Sequence, residues 1–284
     1  MNLRFQLLNV FSIEGDPFSG NPLCVFEDAA ALTEDQMQAW ARQFNLSETT
    51  FVTAKRLESG DADVRIFTAS YEMPFAGHPT LGTAHVVAAL AGGPDEVRLT
   101  MPAGTIPVRR VEGGWRLQFN PASQRPLTVS APVVAQVLGL PVEAVIDEGC
   151  AYVDAGVEQL LIQVRDAGAV RACAPDAGEL ERHLSEPGHP LQAYVWAWTG
   201  ESAIEARFFG VSEGMIEEDP ATGSAASNLG SWLASGGRRG EGFTITQGAH
   251  VSRPSRLVVT IDEHGTVFVA GRVSEVGSGT VRAG

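Results

Sequence analysis

The stretch Pro74-Phe75-Ala76-Gly77-His78-Pro79-Thr80-Leu81-Gly82-Thr83-Ala84 decides how this chain reads, and it has a counterpart in the second half, Asp219-Pro220-Ala221-Thr222-Gly223-Ser224-Ala225-Ala226. Each is a glycine turn, then a polar residue, then small and apolar residues at helical spacing. The first predicts a helix with His78 near the N-cap and Pro79 at the first helical position, where its missing N–H costs nothing. In the second, Ser224 is a cap or first-turn residue. A helix start presents N–H groups without intrahelical partners and a partial positive charge, which suits a carboxylate or an oxyanion. Gly77 and Gly223 lie about half of the 284-residue chain apart, a spacing that predicts a duplicated architecture with a site between the halves.

Working outward, residues 3–11 and 22–26 read as strands on either side of the turn-rich Gly15-Asp16-Pro17-Phe18-Ser19-Gly20-Asn21. Thr33 opens a helix, with Gln36 completing a capping box and Met37, Trp40, Ala41 and Phe44 on the apolar face; it ends near Asn45. Residues 49–53 and 63–69 are β-branched or alternating, hence strands. The first small-residue helix runs to about Ala91, stopped by Gly92-Gly93-Pro94. A meander over 97–101, 106–111 and 115–120 follows. Around Asn120-Pro121-Ala122 the pattern restarts. The second half carries a short helix from Ser130 to Leu138, two strands within 151–164 joined near Gly156, and a helix over 176–184. Strands over 191–198 and 206–209 lead to an acidic loop, 212–218. The second small-residue helix runs from Ser224 to about Ala234, and strands over 242–246, 256–261 and 267–276 close the chain. A helix that is small and apolar nearly all round is enclosed rather than lying on a surface. The expected fold class is therefore α+β: two pseudo-symmetric halves, 1–120 and 121–267, each a curled, mostly antiparallel sheet wrapped around a central helix.

Composition narrows the function. A hydrophobic content of 44% is ample for a core, while a net charge of −14 repels phosphate backbones and anionic membranes. Nucleic acid is thus a disfavoured partner, although local dipoles leave a small anionic metabolite open. Three cysteines, Cys24, Cys150 and Cys173, without a CxxC pair, argue for a reduced compartment and against a disulfide framework or zinc site. The N-terminal residues alternate like a strand rather than forming a signal peptide, and no apolar run approaches ~18 residues, so the cytoplasm is the expected location. There is no Gly-x-Ser-x-Gly elbow at Ser224, no phosphate-binding P-loop, no dinucleotide glycine fingerprint and no HExxH helix. Asp61 and Asp63 read as a solvated hairpin flank. No metal and no cofactor is expected.

Three motifs, Asn45-Leu46-Ser47-Glu48-Thr49-Thr50-Phe51, Pro74-Phe75-Ala76-Gly77-His78-Pro79-Thr80 and Asp219-Pro220-Ala221-Thr222-Gly223-Ser224-Ala225, resemble in order and spacing those of the phenazine-biosynthesis PhzF-like family. The resemblance covers essentially the whole chain. It implies the diaminopimelate epimerase-like fold, with a cleft between two halves, a last strand (about 268–284) returning to the first half, and a homodimer. The family's characterised activity is isomerisation of dihydro-hydroxyanthranilate by acid/base proton transfer without a cofactor. By resemblance, Glu48 is the proton-shuttling carboxylate and His78, Asp219 and Ser224 are the polar groups around the substrate. The backbone at Gly77 and Gly223 then lies by the substrate carboxylate. One departure matters: the related amino-acid epimerases have cysteines where this chain has Ala76 and Thr222, so racemisation by two thiols is excluded.

Taken alone, each residue has a plainer reading: Glu48 as an exposed acid at a strand edge, His78 and Ser224 as helix caps, Asp219 as a charge complementing a helix dipole. In combination they describe a proton-transfer site, because a carboxylate that takes and returns a carbon-bound proton works best in a closed, partly apolar cleft. The leading expectation is a cofactor-independent isomerase of a small carboxylate-bearing, cyclic or unsaturated substrate. The alternatives are a metabolite-binding or regulatory protein of the same fold, and an epimerase in which Thr222 or Asp219 faces Glu48.

Overall fold

A computed structural model describes residues 2–186, 189, 191–212 and 214–282 of the chain. The chain divides into two compact units, Met1–Gln118 with Ala270–Gly284, and Phe119–Val269.

The first unit opens with β1 (Asn2–Val10) and β2 (Asn21–Phe26), antiparallel neighbours with Leu8 opposite Leu23. Helix α1 (Glu34–Phe44) starts at a full capping box: Thr33 Oγ1 accepts from Gln36 N at 3.3 Å and Gln36 Oε1 accepts from Thr33 N at 3.0 Å. It stops at Asn45 in the left-handed region, φ 51°. Its apolar face packs Met37, Trp40, Ala41 and Phe44 onto Phe5, Phe26 and Phe51. The detour through α1 lets β3 (Glu48–Arg56) return parallel to β2, since a parallel pair needs a long crossover. β4 (Asp61–Phe67) and the short β5 (Glu72–Met73) follow antiparallel. Then α2 (Gly77–Leu90) crosses over to β6 (Glu96–Met101), which lies parallel to β4 and continues into β7 (Gly104–Val111) and β8 (Gly114–Gln118).

The second unit repeats this connectivity. After β9 (Ser123–Pro126) and α3 (Ala131–Leu138) come the antiparallel β10 (Val145–Asp154) and β11 (Glu158–Val164). Helices α4 (Ala167–Ala172) and α5 (Ala177–Leu184) cross over to β12 (Gln192–Gly200), parallel to β11. β13 (Ala203–Ser212) and β14 (Met215–Asp219) are antiparallel, and α6 (Gly223–Ser235) crosses over to β15 (Glu241–Gln247), parallel to β13. β16 (Ser255–Ile261) and β17 (Val267–Gly271) complete the series, and β18 (Val273–Arg282) pairs antiparallel with β1. The fold is α+β, a diaminopimelate epimerase-like arrangement of mostly antiparallel strands with a parallel crossover around each long helix. Among the described residues no helix is long and apolar enough to cross a membrane.

Several boundaries differ from the expectations above. Helix α2 begins earlier than expected: Ala76 is its N-cap, so His78 and Pro79 lie inside the first turn. Proline is harmless at any position whose N–H has no intrahelical partner, so Pro79 bounds the start only to within a turn. The start is fixed instead by Thr80, whose N and Oγ1 both donate to Ala76 O, at 3.2 and 2.7 Å. In α6 the N-cap is Thr222, and Ser224 is a first-turn residue, one of its two expected places. The acidic segment 212–218 is largely strand rather than loop, with Phe208 opposite Asp219; Glu213 and the side chain of Ser212 lie outside the described residues. Glu218 is turned inward and paired with Arg207, which removes the charge penalty that made the segment read as solvated. Helix α4 escapes a periodicity reading because it is only six residues long; Asp166 caps it by accepting from Ala169 N at 2.9 Å. The strand expected over 267–276 is broken at Arg272 into β17 and β18. Of the last strand as expected, residues 283 and 284 lie outside the described residues.

Eleven of the fourteen residues of α2 and ten of the thirteen of α6 are buried, so both helices are enclosed within their units. Close approach to the strands requires glycine. A Cβ at Gly82 would stand 2.4 Å from Leu23 Cδ2 and 3.0 Å from Val10 Cγ2, and one at Gly230 would stand 2.8 Å from Val267 Cγ1 and 3.0 Å from Val259 Cγ1. Glycine to alanine inside a helix ordinarily stabilises by about 0.5–1 kcal/mol. Here overpacking wins, and Gly82→Ala and Gly230→Ala are each expected to destabilise by about 1–3 kcal/mol in urea unfolding. Gly230→Ala is expected to be the worse, because its neighbours are stiff valines. Stabilisation by either substitution would show that the helices do not sit this close to their strands.

Candidate active site

In the first unit, β2, β3 and α2 meet at one point. Glu48 opens β3 with Leu23 as its cross-strand partner, and His78 sits in the first turn of α2. His78 Nε2 lies 3.2 Å from Glu48 Oε2, and the two side chains keep only 7% and 14% of their accessible surface. The ring also hydrogen-bonds the backbone carbonyl of Pro22, the residue before Leu23. With Nε2 turned to Glu48, that bond is assigned to Nδ1–H, which leaves Nε2 as the acceptor nitrogen of a neutral ring. Nε2 makes no aligned hydrogen bond among the described residues, so its 3.2 Å approach to Oε2 is a close polar contact that one added proton would turn into a hydrogen bond. Two residues along the same face of β3, Thr50 Oγ1 meets Thr83 Oγ1 of α2 at 2.8 Å, which pins the strand to the helix beside the pair. Burial drives the imidazole down to about 3 from its ordinary 6.5, and the Pro22 carbonyl opposes this only in part.

In the second unit, Asp219 ends β14 and accepts a short hydrogen bond on Oδ2 from Thr222 Oγ1. Gln247, at the end of β15, reaches back to the same turn, donating from Nε2 to Asp219 O at 2.8 Å and to Thr222 Oγ1 at 3.0 Å. Ser224, in the first turn of α6, accepts on Oγ from Gln159 Nε2 at 2.9 Å. Gln159 is 2% exposed and also donates to Gln192 Oε1 at 3.2 Å, while its own Oε1 accepts from Asn228 Nδ2 at 2.8 Å. Asn228 cannot be flipped: Oδ1 accepts from Ala155 N at 2.9 Å and Nδ2 faces the carbonyls of Val153 and Val157 at 2.8 and 2.9 Å. Backbone groups therefore set the direction of the whole chain. Ser224 Oγ accepts a hydrogen bond from Gln159, and among the described residues its own O–H has no acceptor, so it can donate to one such as a carboxylate oxygen.

The matching connectivity makes the two units comparable position by position. Glu48 and Gln192 are the first residues of β3 and β12, and His78 and Ser224 are the second residues of α2 and α6. Where one unit carries an acid and an imidazole, the other carries an amide and a hydroxyl. The N-cap residues of the two helices, Ala76 and Thr222, make no capping hydrogen bond with their own side chains. Gly77 and Gly223 are the first residues of these helices, so their backbone N–H groups belong to the set without intrahelical partners. No thiol stands at Ala76 or Thr222. The cysteines are held protonated by burial, Cys150 pushed up to about 11, Cys173 to about 12 and Cys24 higher still.

All six residues singled out in the sequence thus lie at these two places: Glu48, His78 and Gly77 in the first unit, Asp219, Gly223 and Ser224 in the second. Pro22, Thr83, Gln159, Gln192, Asn228 and Gln247 were missed as their partners, and Thr222, considered only as a group facing Glu48, is instead the hydroxyl on Asp219. The signal was present for one of them: Asn228 interrupts an otherwise small and apolar helix, where a polar side chain must find protein partners. The other histidines serve elsewhere: His85 accepts from Trp115 Nε1 at 3.4 Å, and His189 pairs with Glu158 at 2.7 Å.

Two units of like connectivity, each with polar groups gathered at the start of an enclosed helix, make up an epimerase-like fold. The chain belongs to the phenazine biosynthesis-like protein family, PhzC-PhzF, whose pattern it matches over residues 9–279. It is 37% identical over 278 residues to an uncharacterized isomerase of Pasteurella multocida, covering 97% of this chain and 92% of the relative. It is 33% identical over 289 residues to the trans-2,3-dihydro-3-hydroxyanthranilate isomerase of Pseudomonas aeruginosa, covering 97% and 96%. The crystal structure of the PhzF-family phenazine biosynthesis protein of Bacillus anthracis superposes over the whole of both chains with a TM-score of 0.85 at 23% identity, a likeness of fold. The chain is accordingly a PhzF-like isomerase.

Neutral burial of His78 has a consequence for stability. Between pH 6.5 and about 3 the unfolded chain binds a proton that the folded ring refuses, so stability falls as the pH falls through that window. The slope is at most about 1.4 kcal/mol per pH unit. From pH 7 to pH 5 the wild type is expected to lose up to about 2 kcal/mol more than His78→Gln in denaturant titrations. Equal losses would mean that the ring is already charged, or exposed, in the folded protein.

Proposed function

We propose that this isomerase moves a carbon-bound proton on a small carboxylate-bearing, cyclic or unsaturated substrate, by general acid/base catalysis and without a cofactor. The observation that carries the reading is the buried contact between Glu48 and His78. A carboxylate largely out of water, beside an imidazole kept neutral by burial, can accept a proton from carbon and give it back. In the proposed step a C–H bond breaks, its proton passes to Glu48, and the electron pair shifts through the adjacent double bond. The same carboxylate then delivers the proton to the far carbon, so the isomer forms with no net change in composition. His78 supports the proton on Glu48 through Nε2, and Asp219 is the second acid of the network.

The substrate carboxylate is assigned to the helix starts: the backbone N–H groups at Gly77 and Gly223 and the Ser224 hydroxyl, whose proton is directed outward by Gln159. A single principal base is favoured over two opposed ones. The counterpart of Glu48 is Gln192, which cannot take up a proton at neutral pH, and the positions used for thiols in amino-acid epimerases hold Ala76 and Thr222. Compounds of the type named for the Pseudomonas aeruginosa relative, beginning with trans-2,3-dihydro-3-hydroxyanthranilate, are the first to assay. The protein is expected to act as a homodimer, which sizing chromatography checks.

Turnover in deuterated water is expected to place solvent deuterium on carbon, and Glu48→Gln to lower kcat about 10²–10⁴-fold with the fold intact. Full activity in Glu48→Gln would remove the assigned base. Tight binding of such acids with neither turnover nor exchange at carbon would instead make the chain a metabolite-binding protein.

A further inference from the structure

We propose that Gln247 and Tyr194 are positioning residues of the site, fixing the direction in which Thr222 donates its hydroxyl proton to Asp219. This inference rests on the reading of Asp219 as part of the proton-transfer network. Nothing in the three motifs points to either residue, and neither lies near Asp219 in sequence.

The argument is one of donor and acceptor bookkeeping. Tyr194 is fully buried on β12 and its hydroxyl lies 3.2 Å from Gln247 Oε1. Burial, reinforced by the nearby charge of Asp219, holds the phenol protonated, so it has a proton to donate there. The backbone N–H of Thr222 points at the same oxygen from 3.4 Å. Two donors identify that atom as the amide carbonyl. The amide nitrogen is thereby turned to Asp219 O and to Thr222 Oγ1. A flipped amide would set N–H against N–H at Thr222 and oxygen against the Asp219 carbonyl, losing both bonds at once. Gln247 is itself only 3% exposed, so water does not offer it another choice.

With Gln247 donating to it, Thr222 Oγ1 is an acceptor on that side, and its single proton goes to Asp219 Oδ2. The sequence of bonds therefore runs one way: Tyr194 O–H to Gln247, Gln247 N–H to Thr222, Thr222 O–H to the carboxylate. Such a chain holds the Asp219 carboxylate in one orientation. The backbone is built to keep Gln247 there. Gly248 has φ +80°, and a Cβ on it would stand 2.5 Å from Pro220 O and 2.3 Å from Arg253 O. Only glycine lets this strand end press against the turn that carries Asp219.

The decisive substitution is Gln247→Glu, nearly isosteric but with an acceptor oxygen where the amide nitrogen donates. It draws the Thr222 proton away from Asp219. With trans-2,3-dihydro-3-hydroxyanthranilate as probe, Gln247→Glu and Thr222→Val are each expected to lower kcat about 10–100-fold with KM changed less than threefold. Thr222→Ser, which keeps the hydroxyl, is expected to stay within about threefold of wild type, and Tyr194→Phe to lose about 3–10-fold. Wild-type kcat in folded Gln247→Glu and Thr222→Val would overturn the proposal, as would equal loss in Thr222→Ser and Thr222→Val. Should Gln247→Glu not fold, Gln247→Met takes its place with the same expectation.

A second readout needs no substrate. In proton NMR the Gln247 side-chain amide is expected to exchange slowly in wild type and Thr222→Ser, and at least tenfold faster in Thr222→Val and Tyr194→Phe. Equal exchange in all four would also overturn the inference. An inactive wild type with the protected amide present would count against the proposed isomerisation while leaving the hydrogen-bond chain in place.

Discussion

The structure depends on a constraint of size: a helix can be enclosed by a sheet only if the side chains facing the strands are small. Gly82 and Gly230 meet that constraint where α2 and α6 lie closest to their strands, and the alanines and serines around them keep the rest of the surface thin. Enclosure carries a further consequence. Buried polar residues in these helices, such as His78 and Asn228, lose water along with the apolar ones, and each must be satisfied by protein groups or stay under electrostatic stress. The Pro22 carbonyl, the Gln159 amide and the turn carbonyls of Val153 and Val157 are placed to do this. The site's polar partners are thus a requirement of the fold before they are a device of catalysis.

The second theme is divergence on a repeated connectivity. Both units run two antiparallel strands, a helical crossover to a parallel strand, a hairpin, and a long helix crossing to another parallel strand. The equivalent positions at the start of the parallel strand and in the first helical turn hold Glu48 and His78 in one unit, Gln192 and Ser224 in the other. An acid and an imidazole exchange protons; an amide and a hydroxyl offer hydrogen bonds of fixed polarity. The repeated framework therefore supplies two kinds of polar pair from one geometry. The difference arises from a handful of side chains and not from the path of the backbone.

The sequence carried the architecture well, because periodicity and capping are local. The capping box at Thr33 and Gln36, the small-residue helices and the meander of the first unit are all written in short windows. Boundaries were less legible where a residue tolerates several positions, as Pro79 does in a first turn. The acidic segment before Asp219 misled because its strand is made possible by a distant partner, Arg207. Of the site, the residues in motifs were visible and their partners were not. Pro22 contributes a backbone carbonyl, which no residue type advertises. Gln247 lies at the end of an ordinary alternating strand, and only the three-dimensional turn brings it to Thr222.

On the proposed reading these features resolve an apparent conflict between a chain of net charge −14 and an anionic substrate. Attraction over long range would call for lysine or arginine, whereas backbone N–H groups at a helix start and a serine hydroxyl aimed by amides act only at contact. They carry no titrating proton near neutral pH, so the holding of a carboxylate by them does not vary with the protonation of the pair that does the chemistry. Keeping the binding groups neutral and the reactive groups ionisable separates the two tasks. Amide networks suit the first task because their direction, once anchored by backbone donors and acceptors as at Asn228 and Gln247, cannot reverse without leaving buried groups unpaired.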